Sequence, residues 1–207
     1  MTLSQNFIKD PFLVKELLSA SSIDKSDLVI EIGPGRGVIT NELIKKAQNV
    51  IAIEKDTDLY QNLIQKFKEI KNLKIFNQDF LKWDLPKCPY KIFSNIPFNI
   101  TAEIIDKIMK SINKPEEIYF IIQTEAAEKY TGTDNYETQN SILSKRFYET
   151  EILGDIDRTS FTPKPQVDIS FIKFSLKETP LIHPKDYQQL RNLDISWFNQ
   201  WQTEDTN

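Results

Sequence analysis

Leu28–Gly37 reads LVIEIGPGRG, and the fold follows from it. Five residues, four of them apolar, make a short buried strand. Glycines at 33, 35 and 37 then end it in a turn that only small residues tolerate. A helix follows through Leu43 and Ile44. The unit repeats downstream. VIAIE (Val50–Glu54), LKIF (Leu73–Phe76), YKIFSN ending at Asn95, and EIYFIIQ (Glu117–Gln123) are further apolar strands. Between them lie a helix carrying Leu59, Leu63, Ile64 and Phe67, and the segment TAEIIDKIMKSI, with another helix starting at about Glu125. Short apolar strands alternating with amphipathic helices predict an α/β fold, a mostly parallel sheet covered on both faces.

The ends of the chain differ. ETEILGDIDR and DISFIKFSL, joined by the proline-rich TSFTPKPQ, predict a terminal antiparallel hairpin, because so short a link cannot join parallel neighbours. TGTDNYETQ (Thr131–Gln139) reads as loop. Upstream, Asp10 followed by Pro11 is an N-cap with proline at the first helical position. That helix is expected to carry Phe12, Leu13, Leu17 and Leu18 on one apolar face. The last segment, from His183 to Gln202, predicts one amphipathic helix with Leu190, Leu193, Trp197 and Phe198 inward, then a polar tail. The expected division is a main domain over 1–176 and a shortened C-terminal helical segment over 177–207.

At 207 residues the chain suits one domain with a small appendage. No apolar run reaches membrane-span length, and the N-terminus lacks the order of a secretory signal. Cys88 is the single cysteine, so no internal disulfide forms, consistent with a cytoplasmic protein. His183, the single histidine, has no partners at metal-ligand spacing, so no metal is expected. The net charge of -4 argues against a broadly basic nucleic-acid surface.

Ligands of a parallel α/β sheet bind beyond the carboxyl ends of its strands. The unusual residues fall there: Gly33 and Gly35 after the first strand, Glu54 ending the second, Asp79 after the third, and Asn95-Ile96-Pro97-Phe98 after the fourth. Glu54 is placed to grip both ribose hydroxyls, and Asp79 to accept from an adenine amino group. The spacing G-x-G-x-G disfavours a dinucleotide. Ribose, adenine and a backbone-cradled tail together describe S-adenosyl-L-methionine. Methyl transfer to an exocyclic adenine amine needs two acceptors for its N–H bonds. The Asn95 side chain and the Ile96 carbonyl supply them, Pro97 stiffens the turn, and Phe98 offers a face for a flipped-out base.

These motifs resemble the rRNA adenine-N6 methyltransferases, closest to the erythromycin-resistance (Erm) branch. The similarity runs from SQNFIKD to FTPKPQVD, and NIPF, QTEAAEKYTG and ETEIL are Erm-like. The resemblance implies a Rossmann-like class I methyltransferase fold and cofactor contacts at Asn6, Ile8, Gly33, Gly35, Glu54, Asp79 and Asn95. It also implies a target-adenine contact at Phe161. The implied reaction is N6 methylation of an adenine in 23S rRNA before full subunit assembly, by a monomer, with resistance to macrolides, lincosamides and streptogramin B as the consequence. The alternatives are a small-subunit rRNA dimethyladenosine transferase and a catalytically weak RNA- or DNA-binding factor. A DNA adenine methyltransferase would use the same Asn95 chemistry but usually has an acidic residue there and an added target-recognition region.

Overall fold

The computed structural model describes residues 6–132, 137–181, 184–187, 189 and 191. The strands are β1 (Phe7–Ile8), β2 (Leu28–Ile32), β3 (Asn49–Glu54), β4 (Leu73–Asn77), β5 (Lys91–Asn95), β6 (Glu117–Gln123), β7 (Tyr148–Ile156), β8 (Phe161–Thr162) and β9 (Ile169–Leu176). The helices are α1 (Pro11–Ser19), α2 (Val38–Lys46), α3 (Thr57–Lys66), α4 (Thr101–Lys110), α5 (Thr124–Thr131) and α6 (Gln139–Lys145).

Seven strands form one sheet in the order β4-β3-β2-β5-β6-β9-β7. The neighbours from β4 to β6 are parallel. Only β9 is reversed, paired antiparallel to both β6 and β7. The expected hairpin is therefore present, with its second strand inside the sheet and its first at the edge. Alternation of side chains sorts the core into two layers. Ile30, Ile32, Ile92, Phe120 and Phe174 pack with Ile104, Ile105 and Ile108 of α4 and with Leu143 of α6. Val29, Phe93, Tyr119, Ile121 and Phe171 pack with Val14 and Leu18 of α1 and with Ile39 and Leu43 of α2.

Helix α1 starts where the Asp-Pro pair places it, the Asp10 carboxylate accepting from the Phe12 N–H at 2.8 Å. Its apolar face differs from the expectation. Val14 and Leu18, four residues apart, are the buried stripe with Leu13 and Leu17 beside them, while Phe12 is 74% exposed. Helix α6 was not foreseen, since its sequence QNSILSK carries little apolar pattern. A capping box between Thr138 and Ser141 starts it. Most of the C-terminal helix expected over 183–202, including Trp197 and Phe198, lies outside the described residues. Pro184–Asp186 form a single 3-10 turn, and Tyr187 and Arg191 both hydrogen-bond to Asp106 of α4. None of the described helices is long and apolar enough to cross a membrane.

Candidate active site

The strand order reverses between β2 and β5, and a sheet opens a crevice at such a point. Here β2 and β5 pair over Val29–Lys91 and Ile30–Ile92 and no further. Beyond that the buried Ser94 hydroxyl takes over, accepting from the Ile32 N–H at 2.6 Å. The two strand ends are held apart as far as Gly33 and Asn95. A cleft opens there, lined by Asn6, Phe7, Gly33, Asn95, Ile96, Pro97 and Phe98. A second is lined by Glu31, Arg36 and Ile39 among others, and shares Phe7, Gly33 and Asn95 with the first.

A strap crosses this opening. Strand β1 pairs antiparallel with β8, Phe7 opposite Thr162 and Ile8 opposite Phe161. The Asn95 amide nitrogen donates to the Asn6 carbonyl at 2.8 Å. That bond turns the Asn95 carbonyl oxygen away from the strap, and no described residue donates to it. The Ile96 side chain is buried, its N–H donates to the Ile121 carbonyl at 3.1 Å, and no described residue donates to its own carbonyl. Pro97 starts a 3-10 turn over Phe98–Ile100, with the Ile100 N–H on the Pro97 carbonyl at 3.1 Å. Phe98 is half-buried, one side packed on the α1–α2 layer and the other on the cleft.

The glycine loop meets the strap directly. A Cβ on Gly35 would stand 2.6 Å from the Phe7 ring, so only glycine allows this approach. A Cβ on Gly33 would meet nothing within 4 Å, and that open space faces the cleft. Glu54 is 2% exposed and accepts from the Gly35 N–H at 3.0 Å and the Asp56 N–H at 2.9 Å. Burial raises its pKa against those bonds. A carboxylate can accept more than these two bonds, so Glu54 has capacity for a further donor. Asp79 caps a 3-10 turn through the Leu81 N–H at 3.0 Å. Its other oxygen pairs with Lys55 at 2.8 Å, and that ammonium holds the carboxyl below its ordinary range. Lys107 clamps the same turn by donating to the carbonyls of Phe80, Leu81 and Trp83.

The structure thus brings Asn6, Gly33, Asn95, Ile96, Pro97 and Phe98 into one cleft. Glu54 and Asp79 follow the next two strands along the same edge. Phe161 is not brought there. It is 2% exposed and lies in the core with Ile8, Ile156 and Ile169, so no face of its ring is open to a base. Ile8, 4% exposed, packs in that same layer and supports the strap by its side chain. Four further residues had not been singled out from the sequence: Phe7, Arg36, Lys107 and Glu31. The Arg36 guanidinium stands over the Phe7 ring, 5.1 Å from its centroid. Glu31 is 1% exposed, takes the Thr40 hydroxyl at 2.6 Å, and is pushed up to about 8 by burial. Its signal was a lone acid inside an otherwise apolar strand. Among the described residues, no group of three or more His, Cys, Asp or Glu could hold a metal ion.

Against known proteins, residues 1–204 match the family described as ribosomal RNA adenine dimethylase. The ribosomal RNA small subunit methyltransferase A of Levilactobacillus brevis is 33% identical over 91% of this chain and 68% of its own length. The crystal structure of the 23S rRNA methyltransferase ErmE superposes with a TM-score of 0.81 at 27% identity, covering 90% of this chain and 76% of that one. A dimethyladenosine transferase from Plasmodium falciparum superposes at 0.74 with 29% identity, over 83% of this chain and 64% of that one.

Proposed function

The chain belongs to the ribosomal RNA adenine dimethylase family, as an S-adenosylmethionine-dependent rRNA adenine methyltransferase of class I fold, and we propose that its target is the N6 amine of an adenine in 23S rRNA. The observation that carries the chemistry is the pair of unengaged acceptors, the Asn95 side-chain oxygen and the Ile96 carbonyl, at the mouth of a cleft walled by Phe98. The residues fit the cofactor: open space over Gly33, a buried Glu54 with acceptor capacity to spare, and Asp79 two strands along. Gly33, Gly35, Glu54 and Asp79 would hold it, with Asn6 and Ile8 closing the strap above. Bound S-adenosylmethionine supplies a methyl group on a positively charged sulfur.

The chain's own part is positioning. An exocyclic amine is a poor nucleophile because its lone pair is delocalised into the ring. Asn95 and Ile96 each accept one of its N–H bonds, which favours a pyramidal nitrogen and frees the lone pair. Phe98 stacks on the ring and fixes its plane. No strong base is needed, because the proton is lost only after the nitrogen becomes cationic. The large-subunit assignment rests on the NIPF motif and on the fit to ErmE.

A second reading, a small-subunit target, is favoured by the 33% identity to the Levilactobacillus brevis enzyme. Primer extension on both ribosomal RNAs from cells expressing the chain separates them. A stop in 23S rRNA, accompanied by macrolide, lincosamide and streptogramin B resistance, supports the first. A stop confined to small-subunit RNA supports the second. Unmodified RNA in both would leave the binding-factor alternative.

A further inference from the structure

The two clefts at the catalytic edge differ in charge. No ionisable side chain lines the first. Two line the second, Glu31 and Arg36. Glu31 is committed to the fold, 1% exposed with its carboxylate on the Thr40 hydroxyl at 2.6 Å. Arg36 is not. It is exposed, its guanidinium lies over the Phe7 ring, and no carboxylate among the described residues pairs with it.

The turn that carries Arg36 is held on every side. The Gly37 N–H donates to the Pro34 carbonyl at 2.8 Å. The Gly35 N–H donates to Glu54 at 3.0 Å. The Lys66 ammonium donates to the Arg36 carbonyl itself at 2.9 Å, so the neighbouring cation is spent on the backbone. The guanidinium is thus rooted in a fixed loop and rests on the strap at the wall of the second cleft. Helix α2 starts from the same loop with no side-chain cap, which adds partial positive charge there.

The strand order gives the direction in which the cofactor would run. Asp79 follows β4, Glu54 ends β3, Gly33 follows β2 and Asn95 ends β5, and these strands are successive neighbours. With adenine at Asp79 and ribose at Glu54, the sulfur and the amino-acid tail are left for β2 and β5, where the two clefts meet. That tail ends in an ammonium and a carboxylate. A carboxylate that leaves water under the strap needs a partner, and a guanidinium offers it two parallel N–H bonds.

We infer that Arg36 binds the carboxylate of the cofactor's amino-acid tail. The inference rests on the methyltransferase reading and adds to it the residue that tells the full cofactor from an adenine nucleoside without that carboxylate.

The test is calorimetry on the whole chain with two ligands, S-adenosylhomocysteine and its decarboxylated analogue, which keeps the sulfur and the amine. Arg36→Met should weaken S-adenosylhomocysteine about 10-fold, the low end for a hydrogen bond between charged groups because the guanidinium keeps contact with water. The same variant should bind the decarboxylated analogue within about twofold of wild type. Arg36→Lys should recover part of the loss. The wild-type preference for the carboxylated ligand should shrink as salt rises. If Arg36→Met weakens both ligands equally, the side chain only packs on Phe7 and the inference fails. It fails too if S-adenosylhomocysteine binding stays within twofold of wild type, including the case where affinity for an RNA hairpin falls instead, which would give the guanidinium to the RNA. In each of these cases wild-type binding of S-adenosylhomocysteine leaves the methyltransferase reading standing. A wild type that binds neither ligand overturns both.

Discussion

Asn95 makes one contact in the fold and is proposed to make another of a different kind to the substrate, and replacing it should separate them. Its amide nitrogen holds the strap through the Asn6 carbonyl at 2.8 Å, and its oxygen, which no described residue engages, is the acceptor proposed for the adenine amine. The first is a neutral hydrogen bond, worth about 0.5–1.5 kcal/mol net. Asn95→Ala should therefore weaken S-adenosylhomocysteine binding by a factor of about 2–12 through a looser strap. The second interaction strengthens as the amine pyramidalises, so it appears in turnover more than in substrate affinity. Loss of one preorganised polar contact costs about 10²–10³ in rate, so kcat should fall by that much and RNA affinity little. Asn95→Asp keeps an acceptor but cannot donate to Asn6 when ionised. It should bind cofactor no better than the alanine variant at pH 8 yet retain more of the rate. Calorimetry gives the cofactor arm, and single-turnover transfer of labelled methyl to RNA gives the rate arm. A kcat within threefold of wild type for Asn95→Ala, or a loss residing wholly in cofactor affinity, would refute the acceptor role.

Three further outcomes follow from the same geometry. Glu31 is protonated in the fold up to about pH 8 but ionises near 4.5, as an ordinary glutamate does, when unfolded, so unfolding releases a proton and higher pH favours it. Stability measured by urea denaturation should fall between about pH 4.5 and 8, by at most about 1.4 kcal/mol per pH unit, and Glu31→Gln should flatten that slope; a wild-type curve already flat there would contradict the buried acid. Glu54→Ala should weaken S-adenosylmethionine binding by about 1.5–3 kcal/mol, Glu54→Gln by less, and NAD should not compete in the same calorimetric titration. Phe98→Ala should lose base stacking, about 1–3 kcal/mol in transfer to RNA, with Phe98→Tyr near wild type and cofactor affinity unchanged in both; wild-type turnover for the alanine variant would make Phe98 a packing residue.

What could be read from the sequence was what local pattern controls. LVIEI and its four successors were legible as strands because both faces of a parallel sheet are apolar. Their carboxyl ends put Gly33, Glu54, Asp79 and Asn95 along one edge of the sheet. The Asp10-Pro11 start of α1 was legible because capping is a short-range interaction. Helix phase was less so: Phe12 has the right chemistry for the core, but Val14 and Leu18 fix the rotation and leave it outside. Helix α6 was hidden because its buried face is mostly serine, with Ser141 and Ser144 satisfied by hydrogen bonds rather than by apolar packing. The partners of Asp79 were hidden for another reason. Lys55 and Lys107 reach it or its turn from β3's end and from α4, and such long-range pairing leaves no periodic trace.

The pairing of β1 with β8 is the least local element of all, and it explains why Phe161 is not at the pocket. Two residues on each side make too short a ladder to be stable alone. Something apolar must hold it down, and Ile8 and Phe161, opposite each other in register, are both buried in the α1–α2 layer. If the Phe161 ring turned out to meet a base, that anchor would be lost, and with it the position of the Asn6 carbonyl. That carbonyl decides which way the Asn95 amide points, since a free amide could present nitrogen or oxygen to the cleft. Only the oxygen can accept from an amine. On the proposed reading the strap would do more than cover the cofactor edge: it would set the acceptor orientation before RNA arrives, so that no binding energy would be needed to turn Asn95. Phe161 would then act on the target adenine at a distance, through the strap. Phe161→Leu, which keeps an apolar anchor, should preserve methyl transfer, whereas Phe161→Ala should lower cofactor affinity and kcat together. A Phe161→Leu variant with intact cofactor binding and failed transfer would return the ring to direct contact with the base.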